Sequence, residues 1–217
     1  MSTASIASID LALLAERIGR FVPRRAPALG RPAAVLVPLL ARPDGLHLLF
    51  TERSPALRAH AGQISFPGGA IDPGDRDTHS AALREAHEEV GLDTSHAKIL
   101  GELDDCPTFV TNFVISPVVA LIERVSAAAD QHYPWRASEG EVVRLHELPL
   151  SGFLADGALR IEEREHEGVR FELYWYTVAG TVVWGATARI VHQLLDVALG
   201  RPIDAAPWEL AKSRSAT

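Results

Sequence analysis

The stretch from Phe66 to Leu92, FPGGAIDPGDRDTHSAALREAHEEVGL, restricts the fold more than any other part of the chain. It joins a paired-glycine turn to a helix with its own start and stop signals, Asp77 or Thr78 as N-cap and Gly91 as terminator. At about 100° per residue, Glu85, Glu88 and Glu89 stand at i, i+3 and i+4, so their carboxylates share one face. Leu83, Ala86 and Val90 fall on the opposite side. That division predicts a half-buried helix, apolar toward a core and acidic toward a cleft.

Three carboxylates at this spacing repel one another by a few tenths of a kcal/mol per pair, so something should compensate. Hard divalent cations such as Mg²⁺ take carboxylate oxygens and keep water and phosphate oxygens in their remaining positions. The cluster therefore suits metal-assisted chemistry on a phosphate ester, although a bare E-x-x-E-E more often marks a solvated acidic face, and it is the context that favours the metal. Gly68 and Gly69 let the backbone approach a ligand closely and adopt φ > 0, and a carbonyl there could complete a metal shell.

Around this stretch the pattern alternates strands and helices. Ile9 to Phe21 reads as an N-terminal helix with Leu11, Leu14 and Ile18 on an apolar stripe, packed on the domain or on a partner such as a second copy of the chain. Pro23, Pro27 and Pro32 break it into an extended linker carrying Arg20, Arg24, Arg25 and Arg31, which are either solvated or contact an anionic ligand. Ala33–Leu40 and Leu46–Arg53 read as two strands joined through Pro43-Asp44-Gly45. The loop after them carries the donors Arg53, Arg58, His60 and Gln63, and an arginine fork suits phosphate.

Beyond the helix, KILGEL and Phe113–Glu123 read as strands, the second apolar on both faces and so central in its sheet. Ser126 to Glu141 is expected to be a mobile loop. VVRLHELPLSGFL gives a strand and a helical turn, and LRIEEREHEGVRFELYWYTV a hairpin turning near Glu167-Gly168. The helix WGATARIVHQLLDVALG ends at Gly200 and Pro202. The expected organisation is residues 1–32 as helix and linker, 33–201 as the main domain and 202–217 as a tail.

A formal charge of −7 disfavours a nucleic-acid groove. One cysteine, Cys106, allows no internal disulfide, which fits a reducing, cytoplasmic setting, and it reads as a small core residue. There is no apolar run long enough to span a membrane and no basic leader, so no membrane partner is expected.

The helix and its turn resemble the Nudix box, G-x5-E-x7-R-E-U-x-E-E-x-G-U, where U is aliphatic. Gly69 opens it, and Arg84, Glu85, Ala86, Glu88, Glu89, Gly91 and Leu92 fill its second half in register. The first acid is Asp75 instead of Glu, and Arg76 to Leu83 makes a spacer of eight, which puts the role of Asp75 at the metal in question. Both departures are familiar in the coenzyme A pyrophosphatase branch of the Nudix family. That branch carries the upstream signature L-L-T-x-R-S-x3-R-x3-G-x3-F-P-G-G, and this chain reads LFTERSPALRAHAGQISFPGG, with only Phe50 differing.

The resemblance covers most of Ala33 to Gly200 and implies an α/β fold, a Nudix-type α/β/α sandwich around a mixed β-sheet. It implies Mg²⁺ or Mn²⁺ held by Glu85, Glu88 and Glu89 with the Gly69 carbonyl assisting, and Arg84 orienting Glu85. The implied reaction is cleavage of coenzyme A to 3′,5′-ADP and 4′-phosphopantetheine by a metal-activated water. Glu85, Glu139 and Glu141 are the alternatives for the base. Arg53, Arg58, His60, Gln63 and Phe66 are the expected substrate contacts, and Trp175 and Trp184 could stack on adenine or belong to the core. Two other readings stay open: a Nudix hydrolase of another nucleoside diphosphate compound such as ADP-ribose or NADH, and a non-catalytic nucleotide-binding module. A homodimer fits the N-terminal helix and family habit.

Overall fold

A computed structural model of the protein describes residues 9–27, 30–55, 62–108, 111–123, 133–166, 169–204 and 206. In chain order the elements are α1 (Leu11–Arg20), β1 (Arg31–Arg42), β2 (Gly45–Arg53), β3 (Ile64–Ser65), β4 (Gly68–Ala70), α2 (Thr78–Val90), β5 (Ala97–Glu102), β6 (Cys106–Pro107) and β7 (Phe113–Ile122). They continue with β8 (Val142–Pro149), β9 (Leu159–His166), β10 (Val169–Val178), β11 (Thr181–Trp184) and α3 (Gly185–Leu199), with short 3-10 turns at Thr94–His96 and Leu150–Leu154.

The large sheet is mixed. β1 runs parallel to β7 from Arg31↔Phe113 to Leu40↔Ile122, and its other pairings are antiparallel. β1 and β2 close a hairpin only between Leu39↔Leu48 and Arg42↔Gly45. Beyond that they splay, and the segment from β3 to β4 fills the gap, with Thr51↔Ser65 on one side and Val35↔Gly68 on the other. This wedge carries the glycine pair into the middle of the sheet. A run of two or three residues has no period to read, so β3, β4 and β6 leave no mark in the sequence pattern.

Two cores lie on the two faces. On one, Ala81, Ala82, Ala86 and Val90 of α2 pack on Ala34, Leu36, Leu49 and Val118, with small alanines letting the helix sit close to the strands. On the other, Leu39, Leu48, Phe50 and Val119 meet α1, α3 and a separate three-stranded sheet ordered β11-β10-β9. The chain is thus a mixed α/β fold with helices on both faces of its sheet, as the resemblance implies. Cys106 is buried in this second core, and burial pushes its thiol up to about 11, which keeps it neutral.

The apolar stripe of α1 is filled inside the chain, with Leu14 and Ile18 buried and Arg17 Nη1 donating to the Ala198 carbonyl of α3. The linker arginines are also engaged internally. Arg24 donates through its backbone N and Nε to Asp104 at 2.7 and 2.8 Å, and Arg25 pairs with Asp105 at 3.1 Å and with Glu102. Arg31 lies over the Phe113 ring. The stretch expected to be a mobile loop is anchored over its second half. Tyr133 is buried, its hydroxyl accepts from Asp93 N at 2.7 Å, and Arg136 N donates to Val90 O at 3.0 Å. Among the described residues no helix is long and apolar enough to cross a membrane.

Candidate active site

α2 starts at Asp77, whose carboxylate accepts from Ser80 N at 2.7 Å while Ser80 Oγ accepts from Asp77 N at 3.0 Å, a reciprocal cap. It ends at Gly91 with φ 68°, which only glycine adopts without strain. Between these caps the three glutamates do not form one solvent-facing row. Glu88 is exposed, Glu85 half-buried, and Glu89 only 4 % exposed. The seating of α2 against β1 turns Glu89 under the glycine strand, where it accepts from Gly68 N at 3.3 Å.

Burial dominates the charges here. It pushes the Glu89 carboxyl up to about 7, reinforced by the charges of Glu85 and Glu141 and countered by the Gly68 N–H and by Arg53. Burial likewise raises Glu85, with Arg84 opposing. Arg53 Nη1 stands 3.7 Å from Glu89 Oε1.

Arg84 organises the other two carboxylates. Its Nη1 donates to Glu85 Oε1 at 2.9 Å and to Glu88 Oε2 at 3.1 Å, while Nε and Nη2 fork onto Asp75 at 3.0 Å each. Nη2 also reaches the Ala70 carbonyl at 3.1 Å. The hydrogen bonds from Arg84 hold Asp75 below the usual carboxylate range. Asp75 thereby anchors the arginine that holds Glu85 and Glu88.

The glycine pair serves close approach and not unusual torsions, because neither Gly68 nor Gly69 has positive φ. A Cβ on Gly69 would come within 2.6 Å of Glu85 Cδ, and one on Gly68 within 2.7 Å of Val35 Cα. The Glu85 carboxylate lies directly against Gly69, and that of the buried Glu89 against the Gly68 N–H.

Other expected contacts are distributed differently. Phe66, expected to touch substrate, is 2 % exposed and stacked on Phe50 at 4.7 Å, because the alternation of its segment turns it toward the core. Gln63 is half-buried, and its carbonyl accepts from Arg53 N at 3.0 Å. Arg58 and His60 lie outside the described residues. Trp175 and Trp184 stack on each other at 5.1 Å with Arg160 over Trp175 at 4.7 Å, all in the three-stranded sheet.

Glu139 and Glu141 are both exposed, on a loop tied to the site. Ser138 N donates to Glu89 O at 2.9 Å, and the Glu141 carbonyl accepts from Ser54 N at 2.7 Å. The charge of Glu141 is among the causes that raise Glu89. The tie between this loop and Ser54 joins residues far apart in the chain, and no local pattern foretells it.

The donors gathered around Gly69 are carboxylate and carbonyl oxygens, the set that hard divalent cations such as Mg²⁺ and Mn²⁺ prefer over softer metals. A carboxylate buried as Glu89 is, with a second beside it, is stabilised in its charged form by a cation.

Comparison with known proteins decides the family. The NUDIX domain model matches residues 30–180. The chain is 41 % identical over 166 residues to proteins from Salmonella paratyphi B and Salmonella newport, each described as the uncharacterized Nudix hydrolase NudL, covering 76 % of this chain and 81 % of theirs. The chain belongs to the Nudix family. As a Nudix hydrolase it acts on phosphoanhydride bonds, and Nudix hydrolases use divalent metals such as Mg²⁺ or Mn²⁺. Among solved structures, this Nudix chain is similar to DR0079 from Deinococcus radiodurans, with TM-score 0.49, 18 % identity, and 80 % and 90 % of the two chains covered. It is also similar to the NUDIX domain of Shewanella oneidensis NrtR complexed with ADP ribose, with TM-score 0.43, 17 % identity, and 64 % and 85 % covered.

Proposed function

We propose that this Nudix hydrolase cleaves the diphosphate of coenzyme A or its derivatives, releasing 3′,5′-ADP and 4′-phosphopantetheine. The observation that carries the reading is that two residues of the signature upstream of the box, Arg53 and Ser54, reach the box and the loop tied to it: Arg53 Nη1 stands 3.7 Å from Glu89, and Ser54 N donates to the Glu141 carbonyl at 2.7 Å. Residues resembling the coenzyme A branch thus border the acidic cluster itself.

Glu85, Glu88 and Glu89, with the Gly69 carbonyl, would hold the cations. Divalent metal bound there neutralises diphosphate charge and makes a water more acidic. Arg84 keeps Glu85 and Glu88 in place, with Asp75 fixing Arg84. Arg53, beside Glu89, would offer a cation to the substrate phosphates; Gln63, and Arg58 and His60 outside the described residues, are the other proposed substrate contacts. Phe66 supports this wall from behind. The base that would take the water's proton is Glu85, or Glu139 or Glu141 from the exposed loop tied to α2 through Ser138. A non-catalytic nucleotide-binding module would be free to lose these carboxylates, and Glu85, Glu88 and Glu89 are all present.

The test is a substrate panel. Coenzyme A, ADP-ribose and NADH are incubated with purified protein and Mg²⁺, and products identified by mass. Coenzyme A is expected to give the highest kcat/KM, with none of the three cleaved under EDTA. Turnover of ADP-ribose with coenzyme A left intact would overturn the substrate assignment and favour another nucleoside diphosphate.

A further inference from the structure

On the far side of the molecule from α2, three potential metal ligands converge at the C-terminal end of α3. His192 and Asp196 stand at i and i+4 and so share a face of the helix. The chain turns back after Gly200, which has φ 67°, and brings Asp204 over them, where Arg24 Nη2 holds the Asp204 carbonyl at 2.7 Å. His192 Nε2 lies 3.5 Å from Asp196 Oδ2 and 4.0 Å from Asp204 Oδ2. One ligand atom from each residue falls within 4.8 Å of the others.

These separations are too long for hydrogen bonds. Asp196 is 6 % exposed and its carboxylate accepts no hydrogen bond among the described residues, the neighbouring basic nitrogens being His192 Nε2 at 3.5 Å and Arg201 Nη1 at 3.9 Å. A buried carboxylate left this way is costly. The separations approach those around a tetrahedral ion, where bonds of about 2.0–2.1 Å put ligand atoms roughly 3.4 Å apart. His192 Nδ1 is engaged by Tyr176 Oη at 2.8 Å, the outer hydrogen bond that orients a ligating histidine and leaves Nε2 facing the carboxylates. All three residues line one cavity of about 20 Å³, room for a single ion or water.

We propose that His192, Asp196 and Asp204 form a second divalent-cation site, selective for a transition metal such as Zn²⁺, which fastens the chain after α3 to the helix. The nitrogen ligand separates it from the all-oxygen cluster on α2. Imidazole suits Zn²⁺, whereas Mg²⁺ takes oxygen ligands. The fourth position is open to water, and the Arg201 side chain is exposed enough to move aside.

The test is equilibrium dialysis of the full chain against Zn²⁺ in excess Mg²⁺, which occupies the oxygen cluster. Wild type is expected to retain one equivalent of Zn²⁺ more than Asp204→Asn or His192→Ala, and Glu88→Gln is expected to retain as much as wild type. Tyr176→Phe keeps the ring and removes the hydroxyl, and should weaken Zn²⁺ binding by about 10–100-fold. Asp204 is largely exposed, so its variant folds even if His192→Ala does not. Equal Zn²⁺ in wild type and Asp204→Asn, or loss of the extra equivalent in Glu88→Gln alone, would overturn the proposal; the second result would assign the zinc to α2.

Discussion

Glu89→Gln should make the metal-free protein more stable above pH 7 while lowering kcat/KM by at least about 100-fold, since removing an outer partner of a metal ligand already costs about 10–100-fold. The two effects share one cause. The folded-state pKa of Glu89 is raised from 4.5 to about 7, so the fold favours its protonated form. The resulting stability is fully present below about pH 4.5 and is lost as pH rises through 7. By pH 8 the loss is about 3 kcal/mol for this buried group. Glutamine is neutral at every pH and does not lose it. Chemical denaturation with EDTA should show the variant ahead of wild type at pH 8 and level with it near pH 4.5. Adding Mg²⁺ should recover wild type at pH 8 and do little for the variant. Equal metal-free stability of the two at pH 8 would contradict the strained-carboxylate account.

The neighbouring glycines should fail in opposite ways when each is replaced by alanine. A Cβ on Gly68 meets the backbone of β1, at the Ala34 carbonyl and Val35 Cα, and neither can yield without moving the strand. Overpacking of that kind costs about 3 kcal/mol, a fall in Tm of roughly 6–12 °C for a chain of this size. The nearest atoms to a Cβ on Gly69 are those of the Glu85 carboxylate, the far end of a side chain that can swing. Gly69→Ala should therefore keep its Tm within a few degrees and lose activity by about 100-fold, the scale of a catalytic group displaced by an ångström. Thermal melts alongside steady-state rates separate the two. A Gly69→Ala protein with full activity would mean that the position of Glu85 over Gly69 does not matter to the reaction.

That contrast also marks how far the sequence could be read. α2 was legible because its caps, its alanine face and its carboxylate spacing are local, and each repeats at the helical period. β1, β2 and β7 were legible as apolar runs bounded by turn residues. The reason for the glycines was not, because it depends on β4 lying across Ala34 and Val35 and against Glu85, contacts between residues 16 to 35 apart in number. The burial of Glu89 follows from the same register. A wheel drawn from the sequence groups it with Glu85 and Glu88, whereas the sheet beneath takes it out of solvent. Arg24 and Arg25 read as free cations until the fold brings Asp104, Asp105 and Glu102 beside them. Phe66 looked like part of a ligand turn because its glycine neighbours are, yet the alternation within its own short segment sends the ring to the core.

Glu88 offers the most direct test of the site. Its side chain is 55 % exposed and, among the described residues, is hydrogen-bonded by Arg84, so removing its charge leaves the fold intact and any loss belongs to the chemistry. The measurement is release of 3′,5′-ADP from coenzyme A by wild type and Glu88→Gln across a Mg²⁺ titration that starts from EDTA. Wild type is predicted to be inactive without metal and to saturate as Mg²⁺ rises, with Glu88→Gln slower by about 100-fold or more at the same concentrations. A Glu88→Gln protein that matched wild type along the whole titration would contradict the assignment of the metal to this helix.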